Sequence, residues 1–270
     1  MPLLTDLSPA SLALAVRENL NEINRNLRHS AATESHEAGG LFVWRTHVEH
    51  AWYNGVICTG SPGVDAAEAS RAAVEYFKAH GVAKFTWWPD PRRMSAEWSP
   101  HLLPLGFVFD RRTPGMAMDL AELPDAVSAL LEIHRVLDPD SLRVWCDTFT
   151  EGYGAPASWS APLFELYTGL HGHGRPLSAY IGYRDGKPVA ASSLFLGAGV
   201  AGIYDVATLP SARGRGFGSA MTLAPLLEAR MLGYRVGILQ ASPKGVPVYE
   251  RLGFRTVCAA EHFLWQADGE

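Results

Sequence analysis

Cysteine is scarce in this chain: Cys58, Cys146 and Cys258 are the only three in 270 residues. An odd, widely spaced set does not make a disulfide framework, so the expectation is reduced thiols and a cytoplasmic setting. Positive charge is not in excess. Lys and Arg total 23 against 28 Asp and Glu, a net charge of -5, which argues against a broad basic face for nucleic acid. No apolar run approaches the roughly 20 residues that span a bilayer, and no membrane partner is expected. The opening Met-Pro-Leu-Leu-Thr-Asp lacks the basic and apolar regions of a signal peptide. The ten histidines form no His-Glu-x-x-His, and no Cys-x-x-Cys is present. No structural or catalytic metal is therefore expected.

What is present is ample core material, with 47% hydrophobic residues and a length that suits two modest domains. The most informative stretch is Arg213-Gly-Arg-Gly-Phe-Gly-Ser-Ala220. It follows an apolar run, Val200–Thr208, and opens a helical pattern through Leu232. The order strand, glycine-rich turn, helix start lets several backbone N–H groups point at one anion. The dinucleotide fingerprint needs a third glycine where Ser219 stands, and a Walker loop needs a Gly-Lys-Ser/Thr that is absent. What remains is Arg-x-x-Gly-x-Gly, carried by Arg213, Gly216 and Gly218.

About thirty residues on comes Val246-Pro-Val-Tyr249-Glu-Arg-Leu-Gly253-Phe254, and Arg235–Ser242 between them reads as a buried strand ending at Pro243. Together these segments resemble the GNAT superfamily of N-acyltransferases. The first resembles its coenzyme A pyrophosphate loop. The second resembles its tyrosine-x-x-leucine-glycine-phenylalanine segment. The resemblance covers roughly residues 125 to 267, about half the chain. One departure is visible: many members carry Asn seven residues before the tyrosine, where this chain has Ser242.

The front half repeats the order of elements with a period of roughly 145 residues, too long for a solenoid. A helix is expected over 11–30, strands over 41–44 and 51–57, a helix over 66–80 closed by Gly81, and a strand over 84–88. Leu102-Leu-Pro-Leu-Gly106-Phe107 echoes Tyr249–Phe254, and Met116–Leu120 matches a final strand, Phe263–Gln266. The chemistry is not repeated. Thr59–Asp65 has no Arg-x-x-Gly-x-Gly, Asp65 would oppose a phosphate, and Leu102 stands in the place of the tyrosine. The expected fold is α+β, with two GNAT-like domains. Each would be a mixed, mostly antiparallel sheet flanked by helices: a degenerate domain over 1–123 and a catalytic one over 124–270. The boundary is expected near Leu123-Pro124-Asp125, with Asp125 capping the next helix.

The resemblance implies acetyl-CoA as acyl donor. Its pyrophosphate would rest on Arg213, Gly214, Arg215, Gly216, Phe217, Gly218 and Ser219, with Arg215 equally suited to face solvent. Its pantetheine would pair with Val206, Ala207 and Thr208, and Ser242 takes the position of the family's Asn. Tyr249 would be the general acid toward a departing thiol, since a phenol near pKa ~10 can protonate a thiolate near ~8.5. Asp205 lies within an apolar run, where a charge needs a reason. It is either the general base or a strand-edge residue facing solvent. Adjacent Trp87 and Trp88 must face opposite ways; either one of them lines an acceptor cleft between the domains or they pack in the core, as most of the eight tryptophans are expected to. Gly152–Pro156 and His171–Gly174 would shape specificity or be plain connections.

The implied activity is acyl-CoA-dependent transfer of acetyl to a primary amine of a small molecule. Two alternatives stay open: an aminoacyltransferase drawing on aminoacyl-tRNA, and a non-catalytic acyl-CoA sensor. The acceptor and the oligomeric state are not legible in the sequence.

Overall fold

The computed structural model describes residues 2–58, 66–89, 97–110, 113–124, 131–171 and 174–267. In chain order the elements are α1 (Pro9–Asn26), β1 (Glu34–Ala38), β2 (Leu41–Arg45), β3 (Gly55–Cys58), α2 (Ala66–Ala79), β4 (Lys84–Trp88), α3 (Ser99–Leu102), β5 (Val108–Asp110) and β6 (Pro114–Asp119). There follow β7 (Glu132–Arg135), α4 (Pro139–Tyr153), α5 (Ser160–Tyr167), β8 (Leu177–Arg184), β9 (Lys187–Gly197), β10 (Val200–Thr208), α6 (Phe217–Met231), β11 (Val236–Gln240), α7 (Val246–Arg251), β12 (Arg255–Ala259) and β13 (His262–Gln266). Local sequence sets the helix ends. Ser8 accepts from the Ser11 N–H ahead of Pro9 in α1. Asp138 and Ser141 form a reciprocal capping box on α4, which stops at Gly154 in the left-handed conformation.

The strands form two mixed sheets, as the α+β expectation requires. The first is ordered β1-β2-β3-β4-β13-β5 and the second β12-β6-β11-β10-β9-β8-β7. Each has one parallel pair, β3 with β4 and β10 with β11, in otherwise antiparallel surroundings. Gly106 and Gly253 both adopt positive φ, at 87° and 97°, after the two Leu-Gly-Phe helices. The echo in sequence is thus an echo in backbone.

The expected clean division at residue 123 does not hold for the sheets. The last strand of each half is inserted into the sheet of the other. β13 pairs with β4 through Phe263–Trp87 and with β5 through Phe263–Phe109. β6 lies between β11 and β12, with Met118 opposite Gly237 and Met116 opposite Thr256. The N-terminal helix also crosses over. Leu12, Ala15 and Val16 of α1 pack on Ala117, Val200, Val236 and Ile238 of the second sheet. Asn19, fully buried, donates to the Gly197 carbonyl at 2.8 Å and accepts from the Tyr204 hydroxyl at 2.6 Å. Periodicity finds elements but says nothing about which sheet completes a strand's hydrogen bonds. The proposed capping of a helix by Asp125 lies outside the described residues, as does the loop 59–65.

Two further expectations change locally. Ala51-Trp52-Tyr53 is a 3-10 turn rather than strand, because the His50 side chain accepts from the Trp52 N–H and ends the extended run. β1 and β7 escaped the pattern because they are polar or exposed edge strands. Trp87 and Trp88 do face opposite ways, but both are buried. Trp87 sits with Phe77, Leu102 and Phe107 inside the first unit. Trp88 joins Phe42, Trp44 and Ile57 against Trp145, Phe149 and Leu163 of the second. That shared core binds the two units, and neither indole lines an open cleft.

A fragment of residues 124–270 lacks β6 and α1 and carries β13 without its partners. Each buried Leu or Val lost from α1 is worth about 1.5–3 kcal/mol, against total stabilities of about 5–15 kcal/mol. The fragment is expected to give no cooperative thermal transition by circular dichroism. A sharp melt with native helix content would show that the exchange is dispensable.

Candidate active site

β10 and β11 are paired only at Ala201–Gly237, Gly202–Ile238 and Ile203–Leu239. Beyond Ile203 the two parallel strands separate, and Val206, Ala207 and Thr208 border the opening. On its other side β10 stays on β9, but the register slips between Tyr204 and Ala207. One extra residue is accommodated there as a bulge, which bends the strand and re-aims a side chain. Asp205 occupies that bulge with φ of 55°, a left-handed conformation rare outside glycine.

The glycine-rich turn follows. Gly214 and Gly216 have φ of 76° and 81°, and Gly216 immediately precedes α6. A Cβ on Gly214 would meet nothing within 4 Å, and one on Gly218 would meet only Thr208 Oγ1 and Val206 Cγ1, at 3.8 and 4.0 Å. The space over the helix N-terminus therefore lies open beside the separated strands. Phe217 is buried and anchors the first turn of α6 in the core, and Ser219 is half-buried two residues further along. Arg213 is tied down. It donates to the Thr208 carbonyl at 3.2 Å and to the Gly152 carbonyl at 2.9 Å. It thus fastens the turn to the end of β10 and to α4, while Arg215 is exposed. These features fit a pyrophosphate: a concave backbone, an unobstructed helix start and no acidic side chain in the turn.

Tyr249 reaches α6 from α7. It packs against the core cluster that holds Phe217 and Met221 of α6. Thr222, also on α6, donates to the Gly218 carbonyl at 2.9 Å. Burial raises the phenol above its ordinary pKa and keeps it protonated. Ser242 is exposed and accepts from the Gly245 N–H at 3.2 Å, closing the turn into α7.

The carboxylate of Asp205 looks toward a group of tyrosines. The Tyr167 hydroxyl donates to Asp205 Oδ2 at 3.2 Å. Tyr53, from the turn ahead of β3, lies in the same buried cluster as Tyr167. Burial lifts Asp205 from 3.8 to about 6, with the Tyr167 bond pulling the other way. Burial also raises Tyr53, Tyr153 and Tyr167. Tyr153 is brought here by Gly152. A Cβ at Gly152 would stand 3.1 Å from Ala207 Cβ and Thr208 N, so only glycine lets α4 lie this close to β10. Tyr153 and Trp52 are both partly exposed, with ring centroids 6.1 Å apart. His50 is neutral down to about 4 through burial, and its ring lies 5.0 Å from Trp159.

Of the residues singled out in the sequence, Val206 and Thr208 lie beside Gly218 of the turn, Arg213 is bonded to the Thr208 carbonyl, and Tyr249 packs against the cluster that includes Phe217. Ser242 precedes the tyrosine helix, and a Cβ on Gly245 would stand 2.9 Å from the Tyr249 ring and 3.3 Å from the Ser242 hydroxyl oxygen, so the two flank the same point. His171 stacks on Tyr167 at 5.4 Å, and the rest of 171–174 is described only in part. Thr222, Tyr53, Tyr153 and Tyr167 were not found from sequence. Tyr153 lay in a segment already suspected, but nothing in the pattern marks Tyr53 or Tyr167. Among the described residues, no three His, Cys, Asp or Glu side chains are grouped to hold a metal, and no helix is long and apolar enough to cross a membrane.

Comparison with known proteins bears on this geometry directly. Residues 140–254 match the model of the Acetyltransferase (GNAT) family. No curated protein matches the chain in sequence. Among solved structures the chain is similar to a GCN5-related N-acetyltransferase from Kribbella flavida. The TM-score is 0.66 at 19% identity, covering 94% of this chain and 96% of that one. It is also similar to a GCN5-related N-acetyltransferase from Sphaerobacter thermophilus, with TM-score 0.57, 15% identity and coverage of 84% and 80%. A tandem GNAT protein from the clavulanic acid biosynthesis pathway matches with TM-score 0.54 and 15% identity over 98% and 97%. At such identities the likeness shows the fold, here across both halves, while the family match rests on residues 140–254. Residues 140–254 therefore form a domain that matches the Acetyltransferase (GNAT) family, and the chain as a whole has the fold of two GNAT-like units.

Proposed function

We propose that the chain transfers acetyl from acetyl-CoA to a primary amine of a small molecule, at one site in the second unit. The observation that carries this reading is the convergence on β10 of two features. The parallel ladder opens after Ile203, and a half-buried carboxylate stands in the bulge at the same point.

Acetyl-CoA supplies an activated acetyl thioester with a thiol as leaving group. The N–H groups of residues 214–219 would hold its pyrophosphate, with Arg213 fixing the turn rather than contacting phosphate. Val206, Ala207 and Thr208 offer backbone groups along the opening. An alkylammonium has a pKa near ~10.4 and must lose a proton before it attacks. Asp205, ionised above about 6, accepts that proton directly or through water. Tyr249, kept protonated by burial, donates toward the departing sulfur. The tyrosines around Asp205 exclude water and offer aromatic faces to a cationic amine. Screening primary amines with acetyl-CoA and detecting free thiol tests the activity. Thiol release that no amine accelerates would contradict it.

Gly216→Asp places a side chain and a negative charge where φ is 81°, and acetyl-CoA affinity is expected to fall at least about tenfold. Calorimetry on folded protein checks this, and unchanged affinity would remove the turn from the cofactor site. Tyr249→Phe should lower kcat by about 10², the weak end of general-acid effects, with acetyl-CoA affinity nearly intact. An undiminished kcat where chemistry limits the rate would make Tyr249 a packing residue.

Asp205→Asn should cut turnover by roughly 10² or more and yet stabilise the fold. The folded-state pKa of Asp205, about 6, lies above its unfolded value. Its contribution to stability is therefore fully present below pH ~4 and lost as pH rises through about 6. Asparagine tolerates the left-handed backbone and carries no charge. The variant should melt a few degrees higher than the parent at pH 8, a gain on the order of 1–3 kcal/mol, and equally near pH 4. A lower melting temperature at pH 8 would show that the carboxylate is well paired in the fold.

A further inference from the structure

Three rings of the turn ahead of β3 reach across to the second unit. His50 lies edge-on to Trp159 at 5.0 Å, Tyr53 meets the same indole at 6.4 Å, and Trp52 meets Tyr153 at 6.1 Å. Around Trp159 the contact is closed, since Tyr53 and Trp159 are both buried. The contact between Trp52 and Tyr153 is open. Trp52 is 47% exposed and Tyr153 44%, although rings of this size gain most from burial.

The exposed pair is held rigidly. The Trp52 N–H donates to His50 Nδ1 at 3.2 Å. Asn54, 2% exposed, uses its whole side chain on the same segment. Its Oδ1 accepts from Thr46 N at 2.8 Å, and its Nδ2 donates to the Val48 and His50 carbonyls at 2.9 and 3.0 Å. The buried Thr86 hydroxyl donates to the Ala51 carbonyl at 3.0 Å. On the other side, Tyr153 stacks on Phe149 of α4, with centroids 5.5 Å apart and planes 26° apart. Rings fixed in this way lose little freedom when a ligand lies on them.

The pair also stands beside the opening of β10. Tyr153 follows Gly152, whose carbonyl accepts from Arg213 at 2.9 Å and whose missing Cβ would lie 3.1 Å from Ala207 Cβ and Thr208 N. Phe149 shares a buried cluster with Ala207. The same turn of α4 therefore anchors the glycine-rich turn and carries the exposed phenol. The other rings touching the pair are His50 and Phe149, so the wall is aromatic throughout.

We propose that Trp52 and Tyr153 form a subsite for the body of the acceptor, and that the amine acetylated here carries an aromatic ring seated on them. The proposal rests on reading the site as one of acetyl transfer to an amine. The indole and phenol planes meet at 60°. A flat ring in that angle makes the face and edge contacts that aromatic groups favour at centroid distances of about 4.5–7 Å. An aliphatic chain makes neither. The first unit thus selects the substrate through Trp52, although its sequence lacks the pyrophosphate turn and the tyrosine.

The test compares the full-length parent with Trp52→Ala and Trp52→Phe, each checked for folding by its melting temperature. With acetyl-CoA as donor, the parent should show a higher kcat/KM for 2-phenylethylamine than for butylamine. Trp52→Ala should lose about 3- to 10-fold toward 2-phenylethylamine, mostly through KM, and less than about 2-fold toward butylamine. Trp52→Phe should recover most of that loss, and acetyl-CoA affinity should be unchanged in both. A second readout needs no turnover: calorimetric affinity for 2-phenylethylamine in the presence of CoA should fall by the same factor in Trp52→Ala. Equal losses toward the two amines, or a parent that prefers butylamine or the linear triamine spermidine, would overturn the proposal and leave acetyl transfer standing. Unchanged 2-phenylethylamine affinity in Trp52→Ala would overturn it as well. Absence of turnover with every amine would instead contradict the transfer reading, while weakened ring-amine binding in Trp52→Ala would still support the subsite.

Discussion

Backbone hydrogen bonds across exchanged strands hold this molecule in one piece. A strand at a sheet edge leaves a row of N–H and C=O groups unpaired, and a buried row without partners is costly. β13 satisfies β4 and β5 of the first sheet, and β6 satisfies β11 and β12 of the second. Neither sheet is complete without a strand that belongs in sequence to the other half. Helix α1 adds a third crossing, since it begins the chain and covers the sheet formed mostly by its end. The two GNAT-like units are thus one cooperative structure, and the first is retained by the second for a reason that precedes any role in chemistry.

That framework allows costly features to persist in the site. Asp205 sits in a left-handed conformation, in a bulge, with its carboxylate raised toward neutrality by burial. Each feature would be selected against in an ordinary strand, and strain of this kind survives where the surroundings over-determine it. Here they do. Asn19 of α1 grips β10 through Tyr204 and β9 through Gly197. Arg213 ties the end of β10 to α4. Tyr167 meets the carboxylate from outside the sheet. The parallel pair β10 and β11 is then free to open at its end without the strand losing its place.

Much of this was legible in the sequence, and the remainder has identifiable reasons for being hidden. Strand, glycine turn and helix around Gly216 follow from local backbone preferences, and so does the Leu-Gly-Phe stop at Gly253. Asp205 stood out because a charge in an apolar run needs an explanation. The partners of Arg213 were hidden because its two carbonyls lie 5 and 61 residues away. Tyr53 and Tyr167 come together across 114 residues, through packing of two units, and hydrophobic periodicity carries no such information. The division at residue 123 failed for the same reason: two sheets assembled from exchanged strands leave the same pattern in sequence as two independent ones.

The central claim is that two GNAT-like units form one structure with a single cofactor site, in the second unit. Calorimetric titration of acetyl-CoA into the full-length chain tests it most directly. The account predicts a stoichiometry of one per chain. Two sites per chain, or one that persists when the turn at Gly216 carries an aspartate, would contradict it.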